Sequence, residues 1–193
     1  MSDGYVSPWW QAMLLPDRWD LCGIELHAMS VWHTFALENL NNAYICDDIY
    51  DKDAAASLIL FCQRDWNAGR DLFLRPVYRA HALRKIFKTV SRLPWKDLDV
   101  CIQEYVQACN RTPDHKHKKD GNSKTAAAPY QWHVVAILCS RYGMTVDQAW
   151  NYPNARARCM FDTYQETRGD DSLADNRLQR SIDRQAGELW EKK

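Results

Sequence analysis

The chain has no net charge: 25 Lys and Arg stand against 25 Asp and Glu over 193 residues. A protein that grips nucleic acid by its phosphates carries a basic excess, so the neutral total argues against that class. No apolar run approaches the roughly 20 residues that span a bilayer, and a membrane role is not expected. Met1–Trp10 holds Asp3 and lacks a basic stretch ahead of an apolar one, so it does not read as a secretory signal. None of the seven cysteines (Cys22, Cys46, Cys62, Cys101, Cys109, Cys139, Cys159) forms a C-x-x-C pair, which leaves a zinc ribbon or thioredoxin-type site without support. Their odd number and irregular spacing do not describe a disulfide framework either. G-x-S-x-G, H-E-x-x-H, the P-loop and G-x-G-x-x-G are all missing. No catalytic residue, metal ligand or cofactor is therefore assigned.

What is present is apolar and aromatic. Hydrophobic residues make up 46% and aromatics 12%, with nine Trp, which excludes a disordered solvating chain. A mass of 22.6 kDa suits one domain, or a core with an appendage. Zero net charge gives little colloidal repulsion, and with so many Trp it favours a protein that works against a partner. Five cysteines sit in apolar patterns such as Ile59–Cys62 and Ala136–Cys139. They read as buried thiols in a reducing cytoplasm.

Apolar residues recur at helical spacing, and no stretch alternates long enough to read as a strand. Gly4–Pro16, with Trp9, Trp10, Met13, Leu14 and Leu15, reads as an arm or short helix; Gly23–Met29 is mixed, with room for extended chain. Ser30 is placed as N-cap of a helix carrying Val31, Trp32, Phe35, Ala36, Leu37 and Leu40, closed by Asn41 and Asn42. Asp53 is expected to cap a second helix, Ala54–Gln63, whose apolarity predicts burial. Asn67–Gly69 reads as a break. Asp71–Ser91 is helical again, with Pro76 starting or kinking it. After a break at Leu93–Trp95, Asp97–Cys109 puts Leu98, Cys101, Ile102, Tyr105, Val106 and Cys109 on one face.

Arg111–Ala128 is the clearest loop, with five basic and two acidic residues and no apolar residue before Ala126. Beyond it, Tyr130–Tyr142 is helical with Gly143 as C-cap, Thr145 caps a short helix through Trp150, and Pro153 opens a helix at Asn154–Thr167. Leu173–Lys193 has a narrow stripe of Leu173, Leu178, Ile182, Leu189 and Trp190 among many charges, the pattern of an amphipathic helix. The class is all-α: an irregular multi-helix bundle with a long basic loop and a C-terminal amphipathic helix. It divides into 1–110, a loop at 111–129, and 130–193, within one compact domain.

Several clusters have a plain structural explanation. His115 and His117 stand two apart among lysines, so they share no helix face and repel a cation. Lys116, Lys118, Lys119 and Lys124 on that loop are the candidate contacts to an acidic partner or nucleic acid. His33 and His133 each follow a Trp at a helix start, and backbone bonding explains them better than proton transfer, since no nucleophile motif accompanies either. Asp47, Asp48, Asp51 and Asp53 lack EF-hand spacing and read as turn and cap residues. Tyr130–Thr167 has helix-turn-helix length, but Asp162 and Glu166 stand beside Arg156 and Arg158 on its last helix, which argues against a recognition helix.

Two segments carry a family resemblance. One runs from Ile24 to Leu40 and continues, after an acidic turn, into Ala54–Cys62. The other runs from Trp132 through Tyr142-Gly143, Asp147, Trp150 and Pro153 to Ala157. Together they resemble small helical proteins encoded in the tail-gene region of tailed phages and prophages. The second is similar to the ending of tail assembly chaperones, where a Tyr-Gly turn leads to an acidic helix, a Trp and a Pro. The resemblance covers roughly half the chain and does not extend to the basic loop or the N-terminal Trp arm.

It implies a non-enzymatic assembly factor in the host cytoplasm. Such a factor coats a long helical tape-measure protein and recruits tail-tube subunits, with no cofactor and no reaction. Trp9, Trp10 and Trp190, with Leu178 and Ile182, are then the expected protein-binding anchors, while Trp32, Trp132 and Trp150 are expected in the core. Self-association is left open. The competing readings are a structural virion component such as a head-tail connector, and a nucleic-acid-binding regulator using the basic loop.

Overall fold

The computed structural model describes residues 8–46, 48–111 and 128–168. Among these, ten helices and one two-stranded hairpin are formed, so the protein is essentially all-α. Helix α1 (Pro8–Met13) leads into the hairpin of β1 (Arg18–Leu21) and β2 (Ile24–His27). Then follow α2 (Val31–Asn39), α3 (Ala43–Cys46), α4 (Lys52–Cys62), α5 (Trp66–Leu74), α6 (Pro76–Val90) and α7 (Trp95–Cys109). The last three are α8 (Tyr130–Tyr142), α9 (Val146–Asn151) and α10 (Asn154–Thr167).

The second strand of the hairpin falls within Gly23–Met29, the stretch with room for extended chain, and the first lies just ahead of it. The strands are four residues each, too short for alternation to register, and pair Arg18 with His27 through Leu21 with Ile24. The turn needs both central residues at positive φ, and Cys22 (φ 52°) and Gly23 (φ 83°) supply them. The Gly23 N–H donates to Asp20 Oδ1 at 2.7 Å and closes the turn.

Helices α2 and α4 form the centre. Ser30 caps α2 as its sequence position implies. The His33 N–H donates to Ser30 Oγ, and His33 Nδ1 accepts the Ser30 N–H at 3.0 Å, so histidine fills the place usually taken by Glu in a capping box. Helix α4 is buried along most of its length, from Ala55 and Ala56 through Leu58–Cys62. Its cap is Asp51, whose carboxylate accepts the Ala54 N–H at 2.7 Å; Asp53 lies inside the first turn and is not the cap. Leu98, Ile102, Tyr105 and Cys109 bury the expected face of α7.

Asn67–Gly69 is not a break. Asp65 accepts the Ala68 N–H and starts α5, which runs through these residues. Gly69 is required by packing rather than by a turn, because the indole of Trp32 lies where a Cβ would stand. That indole belongs to a continuous aromatic cluster. Trp32 meets Trp66, Phe73 and Trp150 edge-on, and Trp66 stacks on Trp150 with centroids 5.3 Å apart. Trp32 and Trp150 are core residues as expected. Trp132 is not: it leans edge-on against Trp150 but remains 49% exposed, because it faces outward from the first turn of α8.

The C-terminal helices are sewn to the N-terminal ones by backbone. The Val31 N–H donates to the Tyr152 carbonyl, and the Asn154 N–H to the Met29 carbonyl, forming a bridge between Ser30 and Pro153. Arg156 on α10 clamps the end of α1, donating to the carbonyls of Ala12, Met13 and Leu15 and pairing with Asp17 at 3.4 Å. The N-terminal helix is thus docked on the body at its C-terminal end. No helix among the described residues is long and apolar enough to cross a membrane.

Candidate protein-binding face

Two places attract attention as sites, and they differ in what their side chains are free to do. The first is a polar depression of about 240 Å³ lined by Asp17, His27, Ser30, His33, Asp65 and Arg156. Its residue types suit acid-base chemistry, but most of their polar atoms are already engaged. His33 accepts at Nδ1 and donates from Nε2 to the Arg64 carbonyl at 2.6 Å, which fixes one neutral tautomer. Burial holds its pKa down at about 4. Ser30 and Asp65 are helix caps, and Arg156 is spent on carbonyls and Asp17. His27 is lowered by partial burial and by Arg18, whose Nη1 stands 3.2 Å from its Nε2. The backbone-bonded reading of His33 holds, whereas His133 lies exposed on α8.

The buried thiols are equally inert. Burial pushes Cys62 and Cys109 up to about 12, far from the thiolate needed for reaction. Among the described residues, no group of three or more His, Cys, Asp or Glu is arranged to hold a metal ion.

The second place is the corner of α5 and α6. Leu74 ends α5, Val77 and Tyr78 lie in the first turn of α6, and they stand 66%, 87% and 54% exposed. The corner is rigid. Pro76 occupies the first position of α6, and Arg79 Nη1 donates to the Phe73 carbonyl at 2.9 Å, closing the end of α5. Phe73, one residue before Leu74, joins the Trp32 aromatic cluster and anchors the corner to the core.

Beyond it, α6 packs Leu83, Ile86, Phe87 and Val90 inward and carries His81, Arg84, Lys85 and Lys88 outward, with Arg92 just past its end. Between Asp71 and Asp97 the sequence has seven basic residues and no acidic one. That interval is a signal the sequence reading missed, because it sought charge runs in loops and not rows on helices.

The residues expected to carry function are not among these. Trp9 and Trp10 stand on α1, but their side chains fall outside the described residues. So do Leu178, Ile182 and Trp190, and Lys116, Lys118, Lys119 and Lys124. No family model matches the chain, and no curated protein or solved structure is significantly similar to it.

Proposed function

We propose that the protein is a non-enzymatic assembly factor that holds a helical partner, of the tail assembly chaperone kind its sequence resembles. In this reading it works in the host cytoplasm, covers the apolar stripes of a long tape-measure-type protein, and yields to tail-tube subunits. The supporting observation is the rigid, exposed trio Leu74, Val77 and Tyr78. Leaving an aliphatic side chain in water forgoes about 1.5–3 kcal/mol of burial, so a lone folded chain gains nothing from this corner. A partner helix laid across it recovers that energy, and the fixed geometry lowers the ordering cost of binding. Three anchors make a small contact, which suits a partner that must later be displaced.

The test is co-expression with a tape-measure-type protein, the long helical partner this reading names. The wild-type chain is expected to raise that protein's soluble yield, and Val77→Ser with Tyr78→Ser to remove the gain while leaving the chain folded. Equal yield with wild type, double variant and no chain overturns the reading. Stable retention in purified particles, seen by mass spectrometry, replaces it with the virion-component alternative.

A further inference from the structure

We infer that the outward face of α6 selects an acidic amphipathic helix, and that it sets the direction in which that helix lies. This rests on the assembly-factor reading above and names the chemistry of its partner. The face has two ends of different character. Leu74 at the end of α5, with Val77 and Tyr78 in the first turn of α6, forms an apolar foot where α6 begins. His81, Arg84, Lys85 and Lys88 continue the same face at helical spacing, with Arg92 just past the helix end, all exposed. From Val77 to Lys88 the row is about 16 Å long at 1.5 Å per residue, the length of three helical turns.

Among the described residues these cations form no ion pair. The ion pairs among the described residues are Arg18–Glu25 and Arg156–Asp17, both away from α6. The carboxylate of Asp99 on neighbouring α7 accepts from Tyr44 Oη at 2.7 Å and from Gln103. In a chain whose charges sum to zero, this one face has collected positive charge with no ion-pair partner among the described residues.

A partner that satisfies both ends has apolar residues at i, i+3 and i+4 on one end and Asp or Glu at i, i+4 and i+7 on the other. That is an acidic amphipathic helix with a built-in polarity. Nucleic acid satisfies only the cations. Its phosphates leave Leu74 and Val77 in water, and a neutral chain gives no long-range attraction toward a polyanion. A basic helix meets like charge along the whole row.

The experiment uses the full chain and two labelled helical peptides of about 20 residues, sharing one apolar stripe, with the remaining positions near one end Glu in one and Lys in the other. Binding is read by fluorescence anisotropy at low and moderate salt. The Glu peptide is expected to bind at least about tenfold tighter, with the difference shrinking as salt rises. The triple variant R84E, K85E and K88E is expected to reverse the preference. V77S with Y78S is expected to weaken both peptides. All five positions are exposed, and circular dichroism verifies that the variants fold.

Equal affinity for the two peptides, or an unchanged preference after charge reversal, overturns the inference. So does tighter binding of a single-stranded oligonucleotide of equal length than of the Glu peptide. If the peptides show no preference while the chain still keeps its long helical partner soluble, the acid selectivity fails and the assembly role stands. If Val77 and Tyr78 matter in neither assay, the α5–α6 corner is not the binding face and both fail.

Discussion

Replacing Gly69 by Ala reverses the usual effect of that change in a helix. In a helix interior, Gly→Ala ordinarily gains about 1 kcal/mol, because the more flexible residue loses more entropy on folding. Gly69 lies in α5, so propensity alone predicts a more stable protein. A Cβ there, however, stands 2.5 Å from Trp32 Nε1 and 3.4 Å from its Cδ1. Ordinary contact needs about 3.5–4 Å, so the ring or the helix must give by about an ångström. The ring has no room to retreat, since Trp66, Phe73 and Phe35 lie with centroids 4.6, 5.5 and 5.8 Å away.

Overpacking of this kind costs about 1–3 kcal/mol, toward the upper end at a rigid site. The net expectation is a loss of about 1–2 kcal/mol, which lowers the melting midpoint by about 2–8 °C in a chain of this size. Thermal and urea unfolding followed by circular dichroism measures it. Ala68→Gly, at an exposed position of the same helix, supplies the propensity difference independently. Trp32→Phe removes the offending atom, so adding Gly69→Ala to that background costs less than in the wild type. A midpoint at or above wild type for Gly69→Ala alone, or strict additivity in the cycle, refutes the packing argument.

Three further outcomes follow from the same geometry. Burial lowers His33 from its ordinary 6.5 to about 4, so between those values the unfolded chain binds the extra proton. Its contribution is complete above pH 6.5 and is lost as pH falls toward 4, by at most about 3 kcal/mol; urea midpoints across pH 4–7 should show a slope that His33→Gln flattens. Asp51→Ala should cost about 1 kcal/mol and Asp53→Ala no more than about 0.5, and unfolding curves that reverse this order refute the cap assignment. Cys22 Sγ and Cys101 Sγ stand 3.8 Å apart, so oxidised glutathione at mildly alkaline pH should join them. The two thiols give up two protons and two electrons, and two glutathione thiols leave. Peptide mapping reads the cross-link, Cys22→Ser abolishes it, and two thiols that stay alkylatable refute it.

What the sequence made legible is what short-range chemistry decides. Ser30, Thr145 and Gly143 act as the helix caps that their positions imply, and Pro76 and Pro153 open helices where their missing N–H costs nothing. The failures lie where a residue answers to something distant in the chain. Gly69 looks like punctuation until Trp32 is brought against it from 37 positions upstream. Trp132 and Trp150 look alike as helical Trp, and only the third dimension sends one outward.

The α6 face failed to register for a different reason. Apart from the pair Arg84–Lys85, its cations are separated by uncharged residues, so they form no long run, and the total of zero absorbs them. They become a row only when the 3.6-residue period is imposed and the acids are seen to be missing from that interval. A neutral chain can therefore hold a strongly basic helix face. The exclusion drawn from net charge applies to a polyanion steered in from a distance, where the summed field acts. It does not apply to a short acidic helix docked within one Debye length of α6, where only the local row is felt.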